Sequence, residues 1–190
     1  MSDIFFTLLI SGFILCPVAV RLDKLMARHY YSKRGKKEMM KLEKGNLITK
    51  ALKGQFDVIV HGCNCFNKMG AGIALEMKRI FPEAYYEDCK TMKGNKLKLG
   101  KISYVEVERN DIKFTIVNAY IQYHYGGYKP NVDYHAVRSC MKLIKNKFSG
   151  KRIGFPMIGA GLAGGEWGKI SKIIEEELIN ENITIVFFER

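Results

Sequence analysis

Two glycine-rich stretches, each placed where a strand gives way to a helix, constrain this chain more than any other feature. The first runs His61-Gly62-Cys63-Asn64-Cys65-Phe66-Asn67-Lys68-Met69-Gly70-Ala71-Gly72-Ile73-Ala74. The second is Gly159-Ala160-Gly161-Leu162-Ala163-Gly164-Gly165-Glu166-Trp167. Glycine lets a backbone approach an anion closely, and the helix that follows offers free N–H groups and the positive end of its dipole. Two such loops at the carboxyl ends of strands make a crevice suited to a diphosphate. Neither has the G-x-x-x-x-G-K-[ST] pattern, nor G-x-G-x-x-G followed by an acidic residue about 20 positions on. Either loop alone is accounted for by a tight strand-to-helix turn; the pair is the signal.

Around these loops the apolar pattern alternates strand with helix. It predicts strands over Lys41–Ile48, Phe56–Val60, Ile102–Val107, Lys113–Ala119, Ile153–Ile158 and Ile183–Phe188. Helical spacing covers Gly72–Ile80, Pro82–Thr91, Asn131–Phe148 and Glu166–Ile179, with Pro82 suited to a first turn and Glu108–Asp111 to a hairpin turn. Such alternation implies an α/β layered domain with a mostly parallel or mixed sheet.

The net charge of +12 asks for an anionic partner, but it is unevenly spread. Residues 21–41 hold eight Lys/Arg against Asp23 and Glu38, and they follow 17 uncharged residues, 4–20. That run meets the lower length limit of a membrane-spanning helix, and its basic flank has the composition of a cytoplasmic side. The reading is an anchor at 4–20, a basic linker to 38 and a globular domain over 39–190. The domain would be cytoplasmic, tethered to the inner face of a membrane, and no direct nucleic-acid binding is expected. Initiation at Met39 or Met40 is the competing reading. Five cysteines without disulfide-like spacing read as free thiols, and Cys63-x-Cys65 lacks the spacing and partners of a metal site.

Lys44-Gly45-Asn46-Leu47, the stretch FDVIVHGCNCFNKMGAGIALEMKRIFPEAY and GFPMIGAGLAGGEW together resemble the macro domain family, over roughly Leu42 to the C-terminus. The resemblance lies nearest its ADP-ribose 1″-phosphate phosphatase group. It implies a three-layer α/β/α domain with a mixed central sheet, here preceded by a hydrophobic helix, that binds ADP-ribose or its 1″-phosphate without cofactor or metal. It further implies that Asn46, with Leu47, recognises the adenine amino group and that Asn64 orients the distal ribose. Met69, Gly70, Ala71, Gly72 and Ile73 would wrap that ribose and the phosphates. Gly159, Ala160, Gly161, Leu162 and Ala163 would cradle the diphosphate, and Phe187 would lie beside the adenine.

The implied activity is hydrolysis of ADP-ribose 1″-phosphate to ADP-ribose and phosphate, a phosphoric monoester hydrolase reaction. His61 and Asn64 are the catalytic candidates, since imidazole titrates near neutral pH and can activate water. A satisfied histidine at a strand end is the plainer account of His61. A related branch, the terminal ADP-ribose glycohydrolases, uses a lysine and an aspartate at positions that here read Ala119 and Ala163, against a lysyl-adduct mechanism. A non-catalytic ADP-ribose reader and a hydrolase of ADP-ribosylated macromolecules remain as alternatives. Tyr120–Tyr128 (YIQYHYGGY) either edges the cleft or packs its rings on the surface.

Overall fold

The computed structural model describes residues 40–127 and 130–188. Within them six strands build one sheet: β1 (Lys41–Lys44), β2 (Val58–Asn64), β3 (Ile102–Arg109), β4 (Ile112–Gln122), β5 (Arg152–Phe155) and β6 (Asn182–Phe187). The order across the sheet is β1-β6-β5-β2-β4-β3. All neighbours run parallel except β3, which is antiparallel to β4. The helices are α1 (Leu47–Leu52), α2 (Gly72–Ile80), α3 (Pro82–Cys89), α4 (Tyr134–Phe148) and α5 (Trp167–Glu177). Together they form a layered α/β domain around one mixed sheet.

Local chemistry explains the elements. β2 lies between β5 and β4 and reads VIVHGCN, an almost wholly buried run of the kind a central parallel strand requires. The β3–β4 hairpin turns on Asn110 and Asp111, both at positive φ (51° and 62°), which matches the twist of the strands it joins. Asp133 caps α4 by accepting the Ala136 N–H at 2.9 Å. α1, α2 and α3 share one core in which Leu47, Phe56, Met77, Phe81 and Ile116 are buried. α4 packs against α5 and against β4.

Two strands are shorter than their apolar runs. The first ends at Lys44 rather than Ile48, because Gly45 turns the chain at φ 142° and Asn46 accepts the Thr49 N–H at 3.0 Å. That cap starts α1, and Leu47, Ile48 and Ala51 are buried at helical spacing. β5 ends at Phe155 because Pro156 has no N–H for the ladder. The anchor expected at 4–20 and the boundary at 38 lie outside the described residues. Among the described residues, no helix is long and apolar enough to cross a membrane. Cys63, Cys65, Cys89 and Cys140 are free thiols.

Gly154 on β5 is closely packed against Phe56 and Leu47. A Cβ there would stand 2.8 Å from Phe56 Cδ2 and 2.9 Å from Leu47 Cδ1. Gly154→Ala is therefore expected to cost about 1–3 kcal/mol through overpacking, read as a lower denaturation midpoint in urea at unchanged slope.

Candidate functional site

The carboxyl ends of β1, β6 and β5 open onto a cleft of ≈ 400 Å³. Gly45, Asn46 and Leu47 form one wall, Val186, Phe187 and Phe188 another, and Pro156 and Met157 leave β5 between them. α2 closes the cleft with Gly72, Ile73 and Glu76. Asn46, Leu47, Gly72, Ile73 and Phe187, which the resemblance names as ligand-binding, all line this one cleft. Glu76, Pro156, Met157 and Phe188 join them without a motif of their own. Glu76 is accessible to sequence reasoning, since it lies four residues beyond Gly72 on one helical face.

The two glycine loops meet beside this cleft. Gly72 begins α2 at φ 55°, and a Cβ built on it would lie 3.5 Å from Leu162 Cδ1 at the tip of the second loop. A first helical residue at positive φ favours glycine, so backbone conformation, as well as close approach, explains this position. In the second loop Gly159 and Gly164 take positive φ, the Gly165 N–H donates to Gly159 O and the Gly164 N–H to Gly161 O. The Ala160 N–H donates to Met157 O, while Ala163 O accepts from the N–H groups of Asn131 and Val132. These bonds fix the loop without using the N–H groups of Gly161, Leu162 and Ala163. Together with the first N–H groups of α2 they make a donor-rich corner.

Asn64 is spent on its own loop. Its Nδ2 donates to Lys68 O at 2.7 Å, and its Oδ1 accepts the N–H groups of Phe66 (2.9 Å) and Lys68 (3.3 Å). The side chain is 7% exposed and shapes the turn that carries Met69 and Gly70, of which Met69 is buried and Gly70 faces open space.

His61, a candidate for direct contact with substrate, is instead 0% exposed and lines neither this cleft nor the hollow beside Phe66. Its Nε2 lies 2.7 Å from Asn118 Oδ1. Asn118 Nδ2 donates to Ala84 O and to Ser103 Oγ, so its oxygen is the acceptor and His61 Nε2 carries the proton. Burial pushes the imidazole pKa down to about 4 against a smaller opposing effect of that hydrogen bond. The ring is neutral at physiological pH, with Nδ1 3.7 Å from Cys63 Sγ, a thiol whose own pKa burial raises.

From His61 a chain of hydrogen bonds runs through the interior. Ser103 Oγ and Tyr120 OH are 2.8 Å apart, and Tyr120 OH donates to Asp88 Oδ1 at 2.9 Å. Asp88 Oδ1 also receives Lys98 Nζ at 3.3 Å, and Lys98 reaches Asn67 Oδ1 in the first loop at 3.1 Å. No sequence signal announces this network, because directly bonded partners lie up to 57 positions apart. Ala119 and Ala163 are both buried and offer no ionisable group.

A family model described as "Macro domain" matches residues 60–174. The enterobacteria phage T4 "Uncharacterized 17.5 kDa protein in tk-vs intergenic region" is 34% identical over 156 residues, 80% of this chain and 97% of that protein. The "DNA ADP-ribosyl glycohydrolase" of Mycobacterium tuberculosis is 25% identical over 123 residues, 64% of this chain. The chain spans only 34% of that relative's length. Among solved structures, Thermosipho africanus DarTG in complex with ADP-ribose shares the fold at TM-score 0.62 and 17% identity, over 77% of this chain and 41% of that one.

Proposed function

The chain belongs to the macro domain family, and on that footing we propose that its cleft holds an ADP-ribose moiety and that it hydrolyses ADP-ribose 1″-phosphate to ADP-ribose and phosphate. The observation that carries the binding reading is the convergence of the two glycine loops, Gly72 against Leu162, beside a cleft walled by Asn46 and Phe187. In this reading the adenine lies between Asn46 and Phe187. The Asn46 oxygen has a second lone pair beyond the one the Thr49 N–H uses, and that lone pair accepts the adenine amino group. The diphosphate lies against the N–H groups of Gly161, Leu162 and Ala163 and the start of α2, and the distal ribose against Met69, Gly70 and Ala71. Developing charge on the terminal phosphate is stabilised by the same fixed backbone donors. His61 and Asn64 act as positioning residues, holding the end of β2 and the turn after it.

Removal of ADP-ribose from DNA is the second reading, favoured by the name of the mycobacterial relative. Against it, Ala119 and Ala163 stand where the resemblance would put the lysine and the aspartate. Gly161 gives a clean test, because a Cβ there meets nothing within 4 Å. Gly161→Val is expected to keep the melting temperature and to weaken ADP-ribose binding at least about tenfold by calorimetry, by displacing the diphosphate from its donors. Binding as tight as wild type, or no binding by the wild type, overturns the site. Phosphate release from ADP-ribose 1″-phosphate then separates the phosphatase from a reader, and release of ADP-ribose from a modified oligonucleotide supports the second reading.

A further inference from the structure

Beyond the first glycine loop lies a surface whose chemistry the ADP-ribose cleft does not use. The Phe66 ring stands 4.8 Å from His124, 5.1 Å from Tyr123 and 5.9 Å from Tyr125. His124 and Tyr125 are stacked, 5.0 Å apart and inclined by 13°, and both are exposed. Phe66 also lines a hollow of ≈ 200 Å³ together with Tyr85, Lys68 and Lys93. Lysines alternate with these rings: Lys78 Nζ lies 3.8 Å above Tyr85, and Lys96 Nζ 5.5 Å above Tyr123.

The local charge is one-sided. Residues 90–101 contain five lysines and no carboxylate, and of these only Lys98 is buried. The adjoining acids are already engaged, Asp88 with Lys98 in the interior and Glu87 with Lys90. An exposed aromatic pair, His124 and Tyr125, with exposed cations nearby is what an unpaired polynucleotide needs, since every base has a face to stack and every linkage a charge. A duplex keeps its bases stacked on one another and leaves the rings unused.

We infer that this strip binds single-stranded nucleic acid, with bases on the exposed stacked pair His124 and Tyr125 and backbone phosphates on Lys68, Lys93 and Lys96. The inference reverses the sequence expectation that nucleic acid is not bound directly. It goes beyond the ADP-ribose reading and does not depend on it, because it concerns strands that carry no modification.

The test is fluorescence anisotropy of the full chain with unmodified 12-nucleotide oligo-dT and oligo-rU, a duplex of equal length, and phosphatidylserine vesicles in competition. A single strand of either sugar is expected to bind more tightly than the duplex, and the two sugars together show whether DNA or RNA is preferred. Changing Lys68, Lys93 and Lys96 together to Gln should flatten the dependence of log affinity on log salt by about 2, at roughly 0.7 per lost contact. Tyr125→Ser, at a ring 41% exposed, should weaken binding by roughly 5- to 150-fold, the range for one stacked base, with thermal unfolding unchanged. Four results overturn the inference. They are no binding of either strand, duplex bound as well as single strand, vesicles bound in place of strands, or variants that bind like wild type and so move the contact to the basic residues 21–41. Because the oligonucleotides carry no ADP-ribose, a failure of the cleft assignment does not alter how these binding results are read.

Discussion

Replacing Lys98 by methionine is expected to lower the unfolding free energy by about 3–5 kcal/mol, the usual cost of leaving one buried charge without its partner. Lys98 is 7% exposed and Asp88 1%, so neither charge is relieved by solvent. Lys98 Nζ answers Asp88 Oδ1 and Asn67 Oδ1 and sits 4.4 Å above the Tyr120 ring. Asp88 Oδ1 is shared with the Tyr120 hydroxyl, while Oδ2 has no hydrogen-bond partner among the described residues. Methionine fills similar space and supplies no cation, so the Asp88 carboxylate is left with the Tyr120 hydroxyl alone. Adding Asp88→Asn to that variant removes the stranded charge, keeps an acceptor for Tyr120, and should restore much of the loss. Urea unfolding of the two variants decides the matter: equal destabilisation of single and double would show that packing, not charge, sets the cost.

The second large effect is acid destabilisation centred on His61. An unfolded histidine titrates near its ordinary value of 6.5, whereas the buried ring titrates at about 4. The folded state therefore favours the neutral ring, and between those values the unfolded chain binds more protons. Stability rises with pH through that window, is complete above about 6.5, and is lost as pH falls toward 4. At 1.36 kcal/mol per unit the loss amounts to about 3 kcal/mol. Carboxylates whose pKa values are lowered, such as Asp57 hydrogen-bonded by Arg152 and Glu43 by Lys50, begin to lose their contribution only near the ordinary carboxylate range and so overlap only the acid end of this window. In His61→Gln, which cannot titrate, unfolding free energy should be nearly flat between pH 6.5 and 4.5. A wild type equally flat there would show that the ring is not the titrating group.

What the sequence makes legible depends on how far apart the cooperating residues lie. Gly72–Ile80 is recognisable as a helix from its own spacing and from the Phe81-Pro82 stop, and α2 has those bounds. The hairpin at Asn110-Asp111 and the start of α3 at Pro82 are likewise written in adjacent residues. Asn46 stands out for its amide, but its second use as a helix cap depends on a change from strand to helix that the apolar pattern of residues 41–48 conceals. His61 reads as a titrating group at a strand end. Its partner, Asn118, comes from a neighbouring strand 57 positions away, so neither the enclosure nor the tautomer has a local signature. Lys98 stands among five lysines in residues 90–101 with nothing local to set it apart, and only the fold brings Asp88 to it. For the cleft, the glycines and Phe187 are visible, whereas Met157 and Phe188 become lining residues only through the register of β6 against β5 and β1.

The tie from Lys98 to Asn67 has a thermodynamic consequence for the loop that follows β2. Asn67 holds a left-handed conformation at φ 56°, is 8% exposed, and donates from its Nδ2 to the Asp88 carbonyl. Its neighbour Asn64 locks the same turn from the other end. A segment staked to the interior at both ends gives up its conformational entropy when the chain folds, at roughly 1–2 kcal/mol per residue, and has little left to lose when a ligand arrives. The loop after β2 is thus made rigid as part of the core, and a ligand that docked on it would bear little cost of ordering it.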